Sequence, residues 1–108
     1  MTTFDKREEG FEKKFARDEE LRFKATARRN KLLGLWAAEK LGLNGDEAEA
    51  YAKSVVLADF ESPGEDDVIR KLRKDFDDKG LSAVTDQQIR RTMDELLARA
   101  IEEIKAGR

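Results

Sequence analysis

Apolar residues recur at helical intervals along most of this chain. The clearest case is the last segment, where Ile89, Met93, Leu96, Leu97, Ala100, Ile101 and Ile104 step by threes and fours. Val68, Ile69, Leu72 and Phe76 form a similar stripe. So do Tyr51, Ala52, Val55, Val56 and Phe60, and before them Leu32, Leu33, Leu35 and Trp36. No segment alternates with period two over the length of a strand. The punctuation agrees with the periods. Gly42 and Gly80, each followed by leucine, read as glycine stops with an apolar residue behind them. Asn44 and Glu47 have capping-box spacing, and Ser62-Pro63-Gly64-Glu65 puts proline at a first helical position. Thr85 opens the last helix, with Val84 and Ile89 as its hydrophobic staple. The expectation is an all-α fold. A small four-helix bundle occupies residues 21–108, with helices at about 21–41, 46–60, 63–79 and 85–106. Trp36, Phe60 and Phe76 are expected at the centre of its core.

The first twenty residues follow a different pattern. From Phe4 to Glu20 the only large apolar residues are Phe4, Phe11 and Phe15, spaced seven and four apart. On a helix they share one narrow stripe, where a helix packed on a core carries three or four apolar residues per two turns. The rest is charged, with both signs mixed. Glu9 with Lys13, and Lys14 with Asp18, have the spacing that supports a helix once formed, while Gly10 weakens it. Such a stripe buries too little to offset the entropy of ordering the segment alone. Residues 1–20 therefore read as an arm, disordered or helical depending on context, that orders when its rings meet a groove on another protein. The competing reading is a long first helix that tucks the three rings against its own bundle.

Composition narrows the function. Charged residues make up 43% of the chain, against about 25% in ordinary domains. The excess fits wide solvated helix faces. The net charge is only −2, so the molecule as a whole is not built to bind polyanions. There is no cysteine and no histidine, which removes disulfides, thiol chemistry, the commonest general base and the commonest zinc ligands. No apolar run approaches the ~20 residues that span a bilayer. The N-terminus is charged from Asp5 onward, unlike a secretory signal. A cytoplasmic protein without a cofactor or a metal is the expectation.

Candidate chemistry is sparse. Asp66-Asp67, Asp77-Asp78 and Glu102-Glu103 are neighbours in sequence, so their side chains diverge on a helix. Asp75, Asp77 and Asp78 near Gly80 lack the ladder and closing glutamate of a calcium loop. From Leu21 to Ala38 there is no acid, while Arg22, Lys24, Arg28, Arg29 and Lys31 all fall inside. That basic stretch is a solvated face, a dock for an acidic protein surface, or a contact for the phosphate of a nucleotide or nucleic acid. Gly34, between Leu33 and Leu35, marks close helix packing more readily than a phosphate loop. No phosphate cradle, nucleophile elbow or metal spacing is present, so no enzyme is expected.

Several runs together are recognisable. They are Phe4-Asp5, Arg7-Glu8, Phe11-Glu12, Lys14-Phe15-Ala16, Asp18, Phe23-Lys24, Ala27-Arg28-Arg29-Asn30-Lys31-Leu32, Gly34 and Trp36-Ala37-Ala38. With Ala50-Tyr51-Ala52-Lys53 and Ala58-Asp59-Phe60-Glu61 they resemble the zeta-type inhibitor subunit of the alphaproteobacterial F1Fo-ATP synthase, over nearly the whole chain. The resemblance implies a four-helix bundle whose N-terminal segment enters the catalytic interface between alpha and beta subunits and reaches the gamma shaft. There it blocks rotation in the hydrolysis direction and permits synthesis. It implies that Phe4, Arg7, Glu8, Phe11, Lys14, Phe15 and Asp18 form the inhibitory arm, with the alpha, beta and gamma subunits as partners. It places the protein at the membrane only indirectly, through the synthase. A monomer when free, and no nucleic acid, complete the expectation. The alternative kept beside it is a helical adaptor that binds nucleotide or nucleic acid through Arg22–Lys31.

Overall fold

The computed structural model describes residues 2–61 and 64–107, with side chains from residue 19 onward. Among the described residues the chain forms four α-helices and no strand: α1 (Thr2–Lys40), α2 (Asp46–Glu61), α3 (Glu65–Asp78) and α4 (Asp86–Lys105). α1 packs on α2 and α4, and α3 packs on the same two, so each helix lies between two neighbours.

The first helix is the architectural surprise. It holds 39 residues in one unbroken run, about 58 Å at the usual rise. The arm and the first bundle helix are thus one element, with no break near residue 20. α4, the longest of the others, has 20 residues, so the rest of the bundle can flank only about half of α1. The molecule accordingly measures 63 × 25 × 23 Å.

The core joins all four helices. Leu33 and Ala37 from α1, Val55 from α2, Val68, Ile69, Leu72 and Phe76 from α3, and Ile89 and Met93 from α4 form one buried cluster. Trp36 is half-buried against it and meets Phe76 edge-on, with ring centroids 6.0 Å apart. Such a pair adds to burial because the positive ring edge faces the negative ring face.

Phe60 corrects the expected core, because it is 73% exposed. The buried face of α2 runs through Ala52 and Val55, and one turn later it reaches Asp59. Asp59 is held there by the Asn30 amide of α1 at 2.8 Å. Phe60 stands about 100° further round the helix and points outward.

The glycine stops fold as their spacing predicts. Gly42 (φ 79°) donates to the Glu39 carbonyl and Leu43 to the Ala38 carbonyl, at 3.2 and 2.8 Å. Gly80 (φ 74°) repeats the pattern, with Gly80 donating to Asp77 and Leu81 to Phe76. These are the paired bonds of a Schellman ending, and the positive φ is what demands glycine. The Thr85 hydroxyl caps α4 by accepting from the Gln88 N–H at 3.1 Å. One expected start differs. α2 begins at Asp46, so Gly45 rather than Asn44 precedes it, and the Gly45 carbonyl accepts from Glu49. α3 runs from Glu65, with Gly64 before it. Ser62 and Pro63 lie outside the described residues. Acidic first turns on α2 and α3 suit the positive ends of those helices.

Candidate partner-binding arm and its anchorage

The arm residues Phe4, Arg7, Glu8, Phe11, Lys14, Phe15 and Asp18 all fall on the N-terminal half of α1. Their side chains lie outside the described ones. Their site is therefore approached through the anchorage, the stretch of α1 from Glu19 to Gly34 that joins arm to bundle.

The five basic residues of this stretch do not converge. Arg22 and Lys24 are exposed. Lys24 pairs with Glu20 one turn back, at 3.5 Å and in the open, where such a pair contributes little. Lys31 is exposed at the edge of an open groove of about 290 Å³ between α1 and α2, whose walls are Ala52, Val56 and Leu57 with Lys53 and Glu49. Arg28 and Arg29 turn toward the bundle instead. Arg28 pairs with Glu103 of α4 at 3.6 Å, both side chains about a quarter exposed. Arg29 is only 4% exposed. Its guanidinium donates twice to the Asn30 side-chain oxygen, at 3.2 and 3.0 Å, and pairs with Glu65 of α3 at 3.5 Å.

Asn30 completes the set. It is 1% exposed and gives its amide N–H to Asp59 of α2. The other oxygen of Asp59 accepts from the Gly64 N–H at 3.4 Å. Glu65 also lies 4.0 Å from Arg90 of α4, which holds Asp66 at 2.6 Å. Three consecutive residues of α1 thus reach three different helices: Arg28 to α4, Arg29 to α3 and Asn30 to α2. No buried side-chain nitrogen or oxygen among the described residues lacks a partner, which a polar cluster in a low-dielectric interior requires.

Charge pattern alone groups Arg29 with the other cations and gives Asn30 no role. The signal was present in the register. Ala25, Arg29, Leu33 and Ala37 step by fours and are all buried, so Arg29 occupies a core position. Asn30 lies three residues before Leu33 on the same face. Gly34 carries the other packing signal. A Cβ there would lie 2.5 Å from the Ala52 Cα, so the bare glycine is what lets the backbones of α1 and α2 approach.

Two further groups of contacts brace the frame. The Tyr51 hydroxyl donates to Asp75 at 2.7 Å, and Lys71 reaches the same carboxylate at 3.2 Å. Burial first, then the hydrogen bond and charge of Asp75, push the Tyr51 phenol far above its ordinary range. Arg73 of α3 donates to the Val84 and Leu81 carbonyls and pairs with Asp77 and Asp86, which pins the connection into α4.

Among the described residues no cluster of three or more acidic side chains could hold a metal ion. No described helix is long and apolar enough to cross a membrane. Among the described side chains three large apolar ones stand in solvent: Phe23 (67% exposed), Leu57 and Phe60.

Comparison with known proteins adds a family. The family model described as ATPase inhibitor subunit zeta matches residues 1–103. A protein known from a solution NMR structure is similar in fold, with a TM-score of 0.70 and 46% identity. The match covers 82% of this chain and 99% of that one. No curated protein matches the chain.

Proposed function

This chain belongs to the ATPase inhibitor subunit zeta family, and from that premise we propose that it inhibits F1 by inserting the N-terminal half of α1 at the alpha/beta/gamma catalytic interface. The inserted helix blocks rotation in the hydrolysis direction. Phe4, Phe11 and Phe15 are the anchors in apolar pockets. Arg7, Glu8, Lys14 and Asp18 set register and partner choice. The protein does no chemistry of its own and meets the membrane only through the synthase.

The observation that carries this reading is the length of α1. A helix of 39 residues stands in a bundle whose other members have 16, 14 and 20. Its buried residues begin at Ala25 among those whose side chains are described. The N-terminal half carries an apolar stripe too narrow for core packing and suited to helix-in-groove recognition. The phosphate-binding alternative has less support, because Arg28 and Arg29 are engaged within the bundle.

The test is deletion of residues 2–19. The shortened protein is expected to lose inhibition of ATP hydrolysis by F1 and to keep the melting temperature of its bundle. Equal inhibition by the shortened protein would overturn the assignment of function to the arm.

A further inference from the structure

Three consecutive side chains on α1 hold three different helices at a single level of the bundle. A helix surface rarely needs this. One buried apolar face already fixes which side of α1 faces inward, through Ala25, Leu33, Ala37 and Ala38. Such a face is tolerant in two respects, tilt and rotation by a few degrees. Three polar contacts to three helices restrict both freedoms: one is a hydrogen bond at 2.8 Å and two are ion pairs at 3.5 and 3.6 Å.

We propose that Arg28, Arg29 and Asn30 are positioning residues that lock the tilt and rotational phase of α1 in the bundle, and so set the direction in which the N-terminal half of α1 leaves the body. The proposal rests on the reading that the N-terminal half of α1 enters the ATPase. Leverage is the reason the lock matters. Phe4 precedes Asn30 by 26 residues, about 39 Å along a helix. A tilt of about 10° at Asn30 therefore displaces the position of Phe4 by roughly 7 Å, more than a side chain's width. The body, about 25 × 23 Å in cross-section, is wider than a single helix and its side chains at ~10–12 Å. It must stay outside while the arm sits inside, so the angle between them decides whether stripe and groove meet without collision.

The chemistry of the cluster supports a role in geometry over one in stability. Burying the Arg29 guanidinium is expensive, and apolar replacements of buried charged groups often leave stability unchanged or higher. What the polar set supplies is direction. Arg29 donates to Asn30 and reaches Glu65, Asn30 donates to Asp59, and Asp59 accepts from Gly64. The lock thereby also reaches the backbone at the start of α3.

The chain has no cysteine, so paired spin labels can be introduced at exposed positions Glu19 of α1 and Asp94 of α4. In the full-length protein, the apolar set Arg29→Met, Asn30→Leu and Asp59→Leu is expected to keep helicity and melting temperature. The distance distribution between the labels should broaden or shift, and the concentration for half-inhibition of F1 should rise at least tenfold. The exchange Asn30→Asp with Asp59→Asn keeps a hydrogen bond between the two positions and should restore both readouts. If the apolar set does not fold, Arg28→Gln with Glu103→Gln carries the same measurements at the more exposed contact, with about a threefold rise expected. A folded variant with an unchanged distance distribution and unchanged half-inhibition overturns the lock. The label distances are measured without F1. They judge the lock even if deletion of the arm shows the inhibitory reading to be wrong.

Discussion

At Gly34 the space between α1 and α2 is closed to a single methyl group, because the Ala52 backbone lies where a Cβ would stand. The obstacle is main chain, so it cannot swing aside as a long side chain would. Gly34→Ala should therefore force the helices apart and destabilise the fold by about 1–3 kcal/mol, the usual range for overpacking. This should hold although alanine is the better helix former by about 1 kcal/mol. Chemical denaturation measures the sum, and a more stable variant would show that the seam can open without cost. The phenylalanines make a second residue-level contrast. Phe76 is fully buried and touches Trp36, so Phe76→Ala should cost about 3–5 kcal/mol. Phe60, 73% exposed, should tolerate the same change within about 0.5 kcal/mol. Comparable losses at the two sites would contradict the outward placement of Phe60.

The elements show which sequence signals carry structure and which do not. Helix ends were legible, because Gly42, Gly80 and Thr85 act through local backbone geometry that a few neighbours determine. The core was legible wherever it is apolar. It was misjudged at the end of α2, where counting apolar residues favours Phe60 over Asp59. The preference for Asp59 comes from Asn30, 29 residues away, and no local pattern contains it. Arg29 is hidden from a local pattern for a related reason: a cation at a core position is explained by its bonds to the Asn30 oxygen together with its distant partner Glu65. Between α2 and α3 the Tyr51–Asp75 bond makes a prediction about pH. The folded chain holds the phenolic proton above its ordinary value of 10.0, by burial first and by Asp75 second. Its contribution to stability is complete below about pH 10 and is lost as the pH rises beyond that. Tyr51 is the only tyrosine, so tyrosinate absorbance should appear together with loss of helicity during alkaline titration. Tyr51→Phe should flatten the alkaline limb. Tyrosinate forming near pH 10 in a still-folded protein would disprove the coupling.

For the whole molecule, the proposed function and the stability of the fold are divided along one helix. The buried residues named in the core begin at Ala25, and the proposed anchors end at Phe15. Phe11→Ala or Phe15→Ala should thus weaken binding to F1 by at least about 2 kcal/mol, as buried interface aromatics do, with no change in thermal melting. Titration against F1 checks this, and silence at both positions would favour packing of the stripe within the chain's own bundle. The unbroken course of α1 has a further consequence, for the kinetics of association. Starting a helix is the slow and unfavourable step, with a nucleation constant near 10⁻³, whereas adding residues to an existing end is close to neutral and takes about a nanosecond each. Arm residues continue the bundle's own helix, so any turn of the arm that forms does so by extension from the bundle outward. Phe15 and Phe11 would be presented before Phe4. Gly10, the poorest helix former among these residues, falls between the two groups and divides the approach into two stages.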